Sequence, residues 1–310
     1  MEPWVQRFLT SLRARRNAST HTQRAYQTDL AEFAAFWARR GGGAPAKLSR
    51  THVRAYLAQL QTRMKGGRTP GPGLGRASVL RKVAALRSLC RWLREMGELK
   101  GDPFLNVPLP KPEKRLPRFL SGQEADVLLE KGAVGSAWTD LRDRALLELL
   151  YSAGLRRAEA AGISVPDLDF LSGTVRVFGK GSRERVVPVG DPALKALRAY
   201  LAARPRPVGT DRVEPLWINA RGRRLSGDGL ALLVRRSAKK AGLLKGLSPH
   251  ALRHSFATEL LGAGCGLREL QEMLGHKNIG TTQVYTHASL ERLRETYSKS
   301  HPRSTAPKPE

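Results

Sequence analysis

The chain has 310 residues, with 54 Lys and Arg against 27 Asp and Glu, a formal charge of +27 and an isoelectric point near 11.1. Such a surplus implies a polyanionic partner, most simply nucleic acid, and its spread over helical segments argues against a disordered basic tail. There is no leader-like or long apolar stretch, and Cys90 and Cys265 are far apart, so the expectation is a soluble cytoplasmic protein in a reduced compartment, with no membrane partner.

The first third reads as all helix. Residues 5–15 form one candidate, and residues 20–39 carry Tyr26, Leu30, Phe33 and Trp37 at helical spacing. Ser49 suits the cap of a third helix with Val53, Leu57 and Leu60 inward. Residues 77–95 form a fourth, with Leu80, Val83 and Leu86 apolar and Arg81, Lys82, Arg87, Arg91 and Arg94 exposed or partly so. That basic face is either a solvated surface or a DNA contact. Between the last two helices, residues 63–76 are rich in Gly and Pro, and the 65–76 stretch reads as a mobile insert. Five prolines between 103 and 117 cannot continue a helix and mark a linker. The expected division is a helical domain at 1–104, a linker at 105–118 and a second domain at 119–310. Residues 1–116 hold 23 basic against 7 acidic residues, so the smaller part is the more densely basic.

In the second part, residues 140–151 place Leu141, Ala145, Leu146, Leu149 and Leu150 on one side of a helix that Gly154 can stop. Arg156 opens the next helix, where free backbone N–H groups favour an anion. Residues 174–178 and 185–189 are β-rich runs joined through Gly179-Lys180-Gly181-Ser182, a hairpin with Lys180 at its tip. Alone, Lys180 would be read as a solvated turn lysine. Ser248 and Pro249 suit the cap and first turn of a helix on which His250 and Arg253 share a face, while Leu252, Phe256 and Leu260 form its core side. Gly262 and Gly264 end it. Leu267, Leu270, Met273 and Leu274 make a short amphipathic helix that Gly275 stops in the left-handed conformation, so His276 lies just past a helix end. Tyr285 follows in a segment opened by Thr281 or Thr282.

Two imidazoles, a guanidinium and a phenol within forty residues of a basic chain suggest phosphate chemistry. Arginine forks onto phosphate oxygens, and a tyrosine can attack phosphorus. Any one of these histidines could simply cap or pack, and His254 reads as structural. A zinc site on His250 and His254 lacks the intervening glutamate and an evident third ligand, so no metal is expected.

The stretch from Ser248 to Tyr285 resembles the second half of the active site of the tyrosine recombinases, the phage integrase family: His-x-x-Arg, a later His, and a tyrosine about nine residues on. The resemblance requires an arginine after Gly-Leu and a hairpin lysine upstream. Gly154-Leu155-Arg156, with Glu159 as the acidic neighbour, and Gly179-Lys180-Gly181 supply them. It covers nearly the whole chain and is nearest the Xer type. Arg157, Ala160 and Glu259 depart from the commoner choices at their positions.

What the resemblance implies is specific. The fold is mainly α with a small antiparallel β-sheet: an N-terminal helical bundle, acting as a DNA clamp, and a C-terminal tyrosine-recombinase catalytic domain. Arg156 and Arg253 clamp the phosphate, Tyr285 forms a 3′-phosphotyrosyl link, Lys180 protonates the leaving 5′ oxygen, His250 helps move the tyrosine proton and His276 binds a phosphate oxygen. No cofactor, ATP or metal is called for. The expected partner is double-stranded DNA with a short inverted-repeat site, bound by a tetramer on two sites, with a second related recombinase and a DNA translocase left open. The leading expectation is a site-specific recombinase resolving chromosome or plasmid dimers. Its alternatives are a mobile-element integrase, a nicking-closing enzyme of the type IB topoisomerase kind, and an inactive DNA binder. After Tyr285, a cap at Ser289 and a stripe of Leu290, Leu293 and Tyr297 mark a terminal helix. The stripe alone favours packing on its own domain, whereas the resemblance implies docking on a neighbour in a ring.

Overall fold

A computed structural model describes residues 1–16, 20–64, 74–109, 120–179, 184–209, 213–243, 247–275, 287–302 and 304. They fall into two compact units, Met1–Arg115 and Leu116–Glu310.

The first unit is helical: α1 (Glu2–Arg16), α2 (Thr20–Arg39), α3 (Arg50–Met64) and α4 (Arg76–Glu95). Leu30, Phe33 and Trp37 of α2, Val53, Leu57 and Leu60 of α3 and Val83 and Leu86 of α4 meet in one core, as their spacing predicts. The packed part runs past residue 104, since Phe104 and Val107 are buried on the same core. Lys82 differs from expectation: it is buried, and donates to Asp29 at 3.0 Å and Glu32 at 2.8 Å. Arg81 also reaches Asp29, at 2.5 Å, and Arg63 reaches Glu32 at 2.6 Å. A lysine on the inner edge of α4 is tolerated because two carboxylates on α2 neutralise it. Of the Gly- and Pro-rich insert, residues 65–73 lie outside the described residues, as do 110–118 of the linker and residue 119.

The second unit carries α5 (Gly122–Lys131), α6 (Trp138–Ala153), α7 (Arg157–Gly162), β1 (Leu168–Asp169), β2 (Thr174–Phe178), β3 (Glu184–Pro188), α8 (Asp191–Ala203), α9 (Gly227–Lys240), α10 (Pro249–Gly262), α11 (Leu267–Leu274) and α12 (His287–Ser300). The strands form an antiparallel sheet in the order β1-β2-β3, with Val175 opposite Val187 and Val177 opposite Arg185. Its core joins α5 to α10 around Trp217, Tyr151 and Tyr200. Helix α6 is buried on every side from Ala145 to Ala153, more than the one-sided pattern read from its sequence. Gly154 ends it at φ +55, and an added Cβ there would lie 2.4 Å from the Phe256 ring, so both the backbone and the space require glycine.

Helix α12 begins at His287, two residues before the cap expected at Ser289. Leu293 and Tyr297 are buried with Phe256, Leu260, Leu270 and Met273, in a core made by α10, α11 and α12 of the same chain. The Tyr297 hydroxyl lies 2.6 Å from Ser152 Oγ, and His301 stacks on Tyr297 with centroids 4.8 Å apart. Leu293 and Tyr297 are thus spent on their own domain, as the stripe alone favours. Truncation after His287 should therefore destabilise the second unit. The loss of Leu293 and Tyr297 alone should cost about 3–5 kcal/mol. The melting temperature should fall by about 10 °C or more. A truncated chain that melts like the full one would place this helix outside the core.

Candidate active site

Three of the six expected site residues lie among the described ones: Arg156, His250 and Arg253. Lys180, His276 and Tyr285 lie outside them.

The site is organised by the last turn of α11. Gly275 stops that helix at φ +65, leaving the three successive carbonyls of Met273, Leu274 and Gly275 without intrahelical partners among the described residues. Each accepts from a different arginine. Arg185 Nε donates to Met273 O at 2.8 Å, Arg253 Nη2 to Leu274 O at 2.6 Å, and Arg156 Nη2 to Gly275 O at 3.0 Å. Arg253 Nη1 also donates to Gly154 O at 2.7 Å, beside the C-terminus of α6. Two helix C-termini, both carrying partial negative charge, thus face one guanidinium. These carbonyls come from segments far apart in sequence, so the arrangement exists only in the folded chain.

Glu159 sits among the three cations. Arg185 pairs with it through two nearly parallel bonds, Nη1 to Oε1 at 2.9 Å and Nη2 to Oε2 at 2.8 Å. Arg156 reaches Oε1 at 2.6 Å and its backbone N–H reaches Oε2 at 2.9 Å; Arg253 Nη1 stands 3.9 Å from Oε2. Burial alone would push this carboxyl up. The bonds and charge of Arg185, followed by the bonds from Arg156, outweigh burial and hold it down at about 2. The anion favoured where α7 begins is, at the Arg156 N–H, the carboxylate of Glu159 itself. Burial, and next the like charge of Arg156, bring Arg253 down to about 10, so it stays protonated at neutral pH.

Exposure separates the roles. The Arg156 side chain is 39% exposed, while those of Arg185 and Arg253 are 6% and 8% exposed. Arg156 can therefore meet a ligand from solvent without rearrangement. His250 follows Pro249 in the first turn of α10 and is exposed, although Arg253 three residues on is buried. Ser248 caps α10 by accepting from Ala251 N at 3.3 Å, which fixes where that turn starts. His254 is exposed one residue beyond Arg253. The unusual neighbours are accommodated: Arg157 pairs with Asp228 at 2.7 Å, Ala160 O accepts from Trp217 Nε1 at 2.9 Å, and Glu259 accepts from the Tyr151 hydroxyl at 2.5 Å.

The sequence places Arg185 only at the start of the second β-rich run. A signal for it existed. In β3, Arg185 and Val187 share the inward face, so strict alternation puts a charge where an apolar residue belongs. A charge at such a position needs a buried partner.

Since the folded carboxyl of Glu159 is depressed, its contribution to stability is full above the unfolded value of 4.5 and is lost as pH falls through about 2. Wild type should exceed Glu159→Gln by on the order of 3 kcal/mol near neutral pH. That gap should close on acidification from pH 5 towards 2. Urea titrations of the two proteins across this range measure it, and a pH-independent gap would contradict the ion pairing.

A cluster of fixed arginines with one half-open guanidinium can hold a phosphodiester and stabilise charge as phosphorus is attacked. The family comparison agrees with this chemistry. Residues 118–292 match the phage integrase family, and residues 5–97 match the phage integrase N-terminal SAM-like domain. The chain therefore belongs to the phage integrase family, the tyrosine recombinases, and is an enzyme of that class. It is 43% identical to tyrosine recombinase XerC of Pelotomaculum thermopropionicum, covering 97% of this chain and 98% of the relative. It is 38% identical to tyrosine recombinase XerD of Oceanobacillus iheyensis, covering 98% of this chain and 100% of the relative. Among solved structures it resembles XerH site-specific recombinase bound to difH substrate before cleavage, at 25% identity and a TM-score of 0.63, covering 95% and 84% of the two chains. Among the described residues no helix is long and apolar enough to cross a membrane.

Proposed function

We propose that the enzyme recombines duplex DNA at specific sites through a 3′-phosphotyrosyl intermediate and resolves chromosome or plasmid dimers in the cytoplasm. The observation that carries the mechanism is the last turn of α11, whose three carbonyls fix Arg156, Arg185 and Arg253 around Glu159.

In this reading Arg156 and Arg253 bind the non-bridging oxygens of the scissile phosphate. Tyr285 attacks phosphorus, the bond to the 5′ oxygen breaks, and Lys180 gives that oxygen its proton. His250 takes part in moving the tyrosine proton and His276 hydrogen-bonds a phosphate oxygen. The phosphodiester energy is kept in the tyrosyl link, so the 5′-hydroxyl of a partner strand can reverse the step. Residues 1–104 would act as the DNA clamp, 105–118 as linker and 119–310 as catalytic domain. The DNA would carry a short inverted repeat and be held by a tetramer on two sites. A second recombinase and a translocase would be further partners if activity in isolation is incomplete. XerH is described as bound to its difH substrate, which supports the DNA partner.

Two assays test this. Sites are first selected from random duplexes. The full chain should then form a covalent adduct on a nicked duplex and exchange strands between two duplexes. An adduct without exchange would instead favour a nicking-closing enzyme, and binding without an adduct an inactive binder. The acid role has its own test: Lys180→Ala should slow cleavage of ordinary DNA by about 10²–10⁴-fold, and sulfur at the bridging 5′ position should restore it, because a thiolate leaves without protonation. Absence of rescue would move the acid to another residue.

A further inference from the structure

We propose that Arg185 is a positioning residue of the recombination reaction: by balancing Glu159 it leaves the charges of Arg156 and Arg253 available to the phosphate. The proposal rests on the recombinase reading above and adds a residue to it.

The charge count is the starting point. Three guanidiniums and one carboxylate leave a surplus of two positive charges in the cluster. A phosphodiester carries one negative charge, and a second develops as the pentavalent state forms. Without Arg185, the same carboxylate would face only Arg156 and Arg253, and the surplus would fall to one. Glu159 is buried, so solvent would screen little of this.

The geometry gives Arg185 both oxygens of Glu159 through a fork, a fit that lysine cannot reproduce. Its third bond, to Met273 O, ties β3 to the turn whose next two carbonyls hold Arg253 and Arg156. An added Cβ on Gly275 would lie 3.0 Å from Arg185 Nη1, so the guanidinium is packed directly beneath that turn. Arg185 is buried behind these groups and is placed to act through them rather than on DNA.

The test compares the full-length wild type with Arg185→Met, Arg185→Lys, Glu159→Gln and the Glu159→Gln/Arg185→Met double variant. Adduct rate on the nicked duplex, affinity for the intact duplex and thermal melting are measured for each. Arg185→Met should slow adduct formation by about 10²-fold, the scale of losing one oriented positive group at a phosphate. Duplex affinity should change by less than about threefold, since most binding comes from the wider basic surface. Removing the Glu159 charge as well should recover at least about tenfold of the lost rate. Arg185→Lys keeps the charge but not the fork, and should lie nearer wild type than Arg185→Met in rate. A merely structural arginine predicts otherwise: Lys as slow as Met, and no recovery in the double variant. Either result overturns the proposal, as does a folded Arg185→Met enzyme with the wild-type rate. If Arg185→Met does not melt cooperatively, the double and Lys variants decide alone. Wild type that binds DNA but makes no adduct would sink the recombinase reading; the Arg185–Glu159 coupling would still be read from the melting cycle, and its absence would sink this proposal independently.

Discussion

Tyr285→Phe should bind its DNA site with wild-type affinity and yield no covalent adduct, a fall of at least about 10⁴-fold, on the scale of removing a covalent nucleophile. The chain has six tyrosines, and the other five are poorly suited. Tyr151 donates to Glu259, Tyr200 donates to Leu216 O at 3.0 Å, and the Tyr297 hydroxyl is engaged with Ser152. Tyr56 is buried in the first core and, by that burial first, its hydroxyl is held well above the usual phenol range. Tyr26 packs against the first core and stacks on Phe8, in the other unit from the arginine cluster. Tyr285 stands nine residues after His276, the spacing that the family resemblance requires. Gel-shift affinity beside denaturing electrophoresis of a labelled nicked duplex makes the comparison. An adduct formed by the Phe variant would move the nucleophile to another side chain.

Arg253→Ala should be damaged twice over. Adduct formation should fall by about 10³-fold, because the proposed mechanism then lacks a fixed donor to the developing phosphate charge. Stability should fall as well, since the carbonyls of Gly154 and Leu274 lose their guanidinium partner inside the protein. Arg156→Ala offers the contrast. Its side chain is 39% exposed, so the same chemical loss should come with a smaller change in melting temperature. Single-turnover cleavage and thermal melting of both variants give the two readings. Equal melting losses would mean that the burial of Arg253 does not carry the stability it should.

Much of the fold could be read along the chain. The four helices of the first unit follow from apolar residues at helical spacing: Leu30, Phe33, Trp37, Val53, Leu57, Leu60, Val83 and Leu86 are buried, while Tyr26 and Leu80 are half-buried. The hairpin followed from β-branched runs around Gly179 and Gly181, and α10 and α11 from Ser248, Pro249 and Gly275. These are local signals, set by a few neighbouring dihedrals and caps. No expected helix corresponds to α5, α8 or α9. For α5 a cap pattern was present, Ser121 with Glu124, and the structure forms that reciprocal cap.

The sequence by itself determined the class of chemistry, through residue types and spacings that survive any rearrangement of the chain between them: Arg156, Lys180, His250, Arg253, His276 and Tyr285 in one order. Its charge pointed to a polyanionic partner. Tertiary structure alone decided which cations share a carboxylate. Arg185 and Glu159 are 26 positions apart, and Arg156 and Gly275 are 119 apart, so no periodicity could pair them. It decided that Lys82 turns inward to Asp29 and Glu32, and that Leu293 and Tyr297 close a core on their own domain. The physical reason is common to all three. Burying a charge or an apolar stripe is favourable only against a specific partner surface, and that partner is supplied by segments remote in sequence.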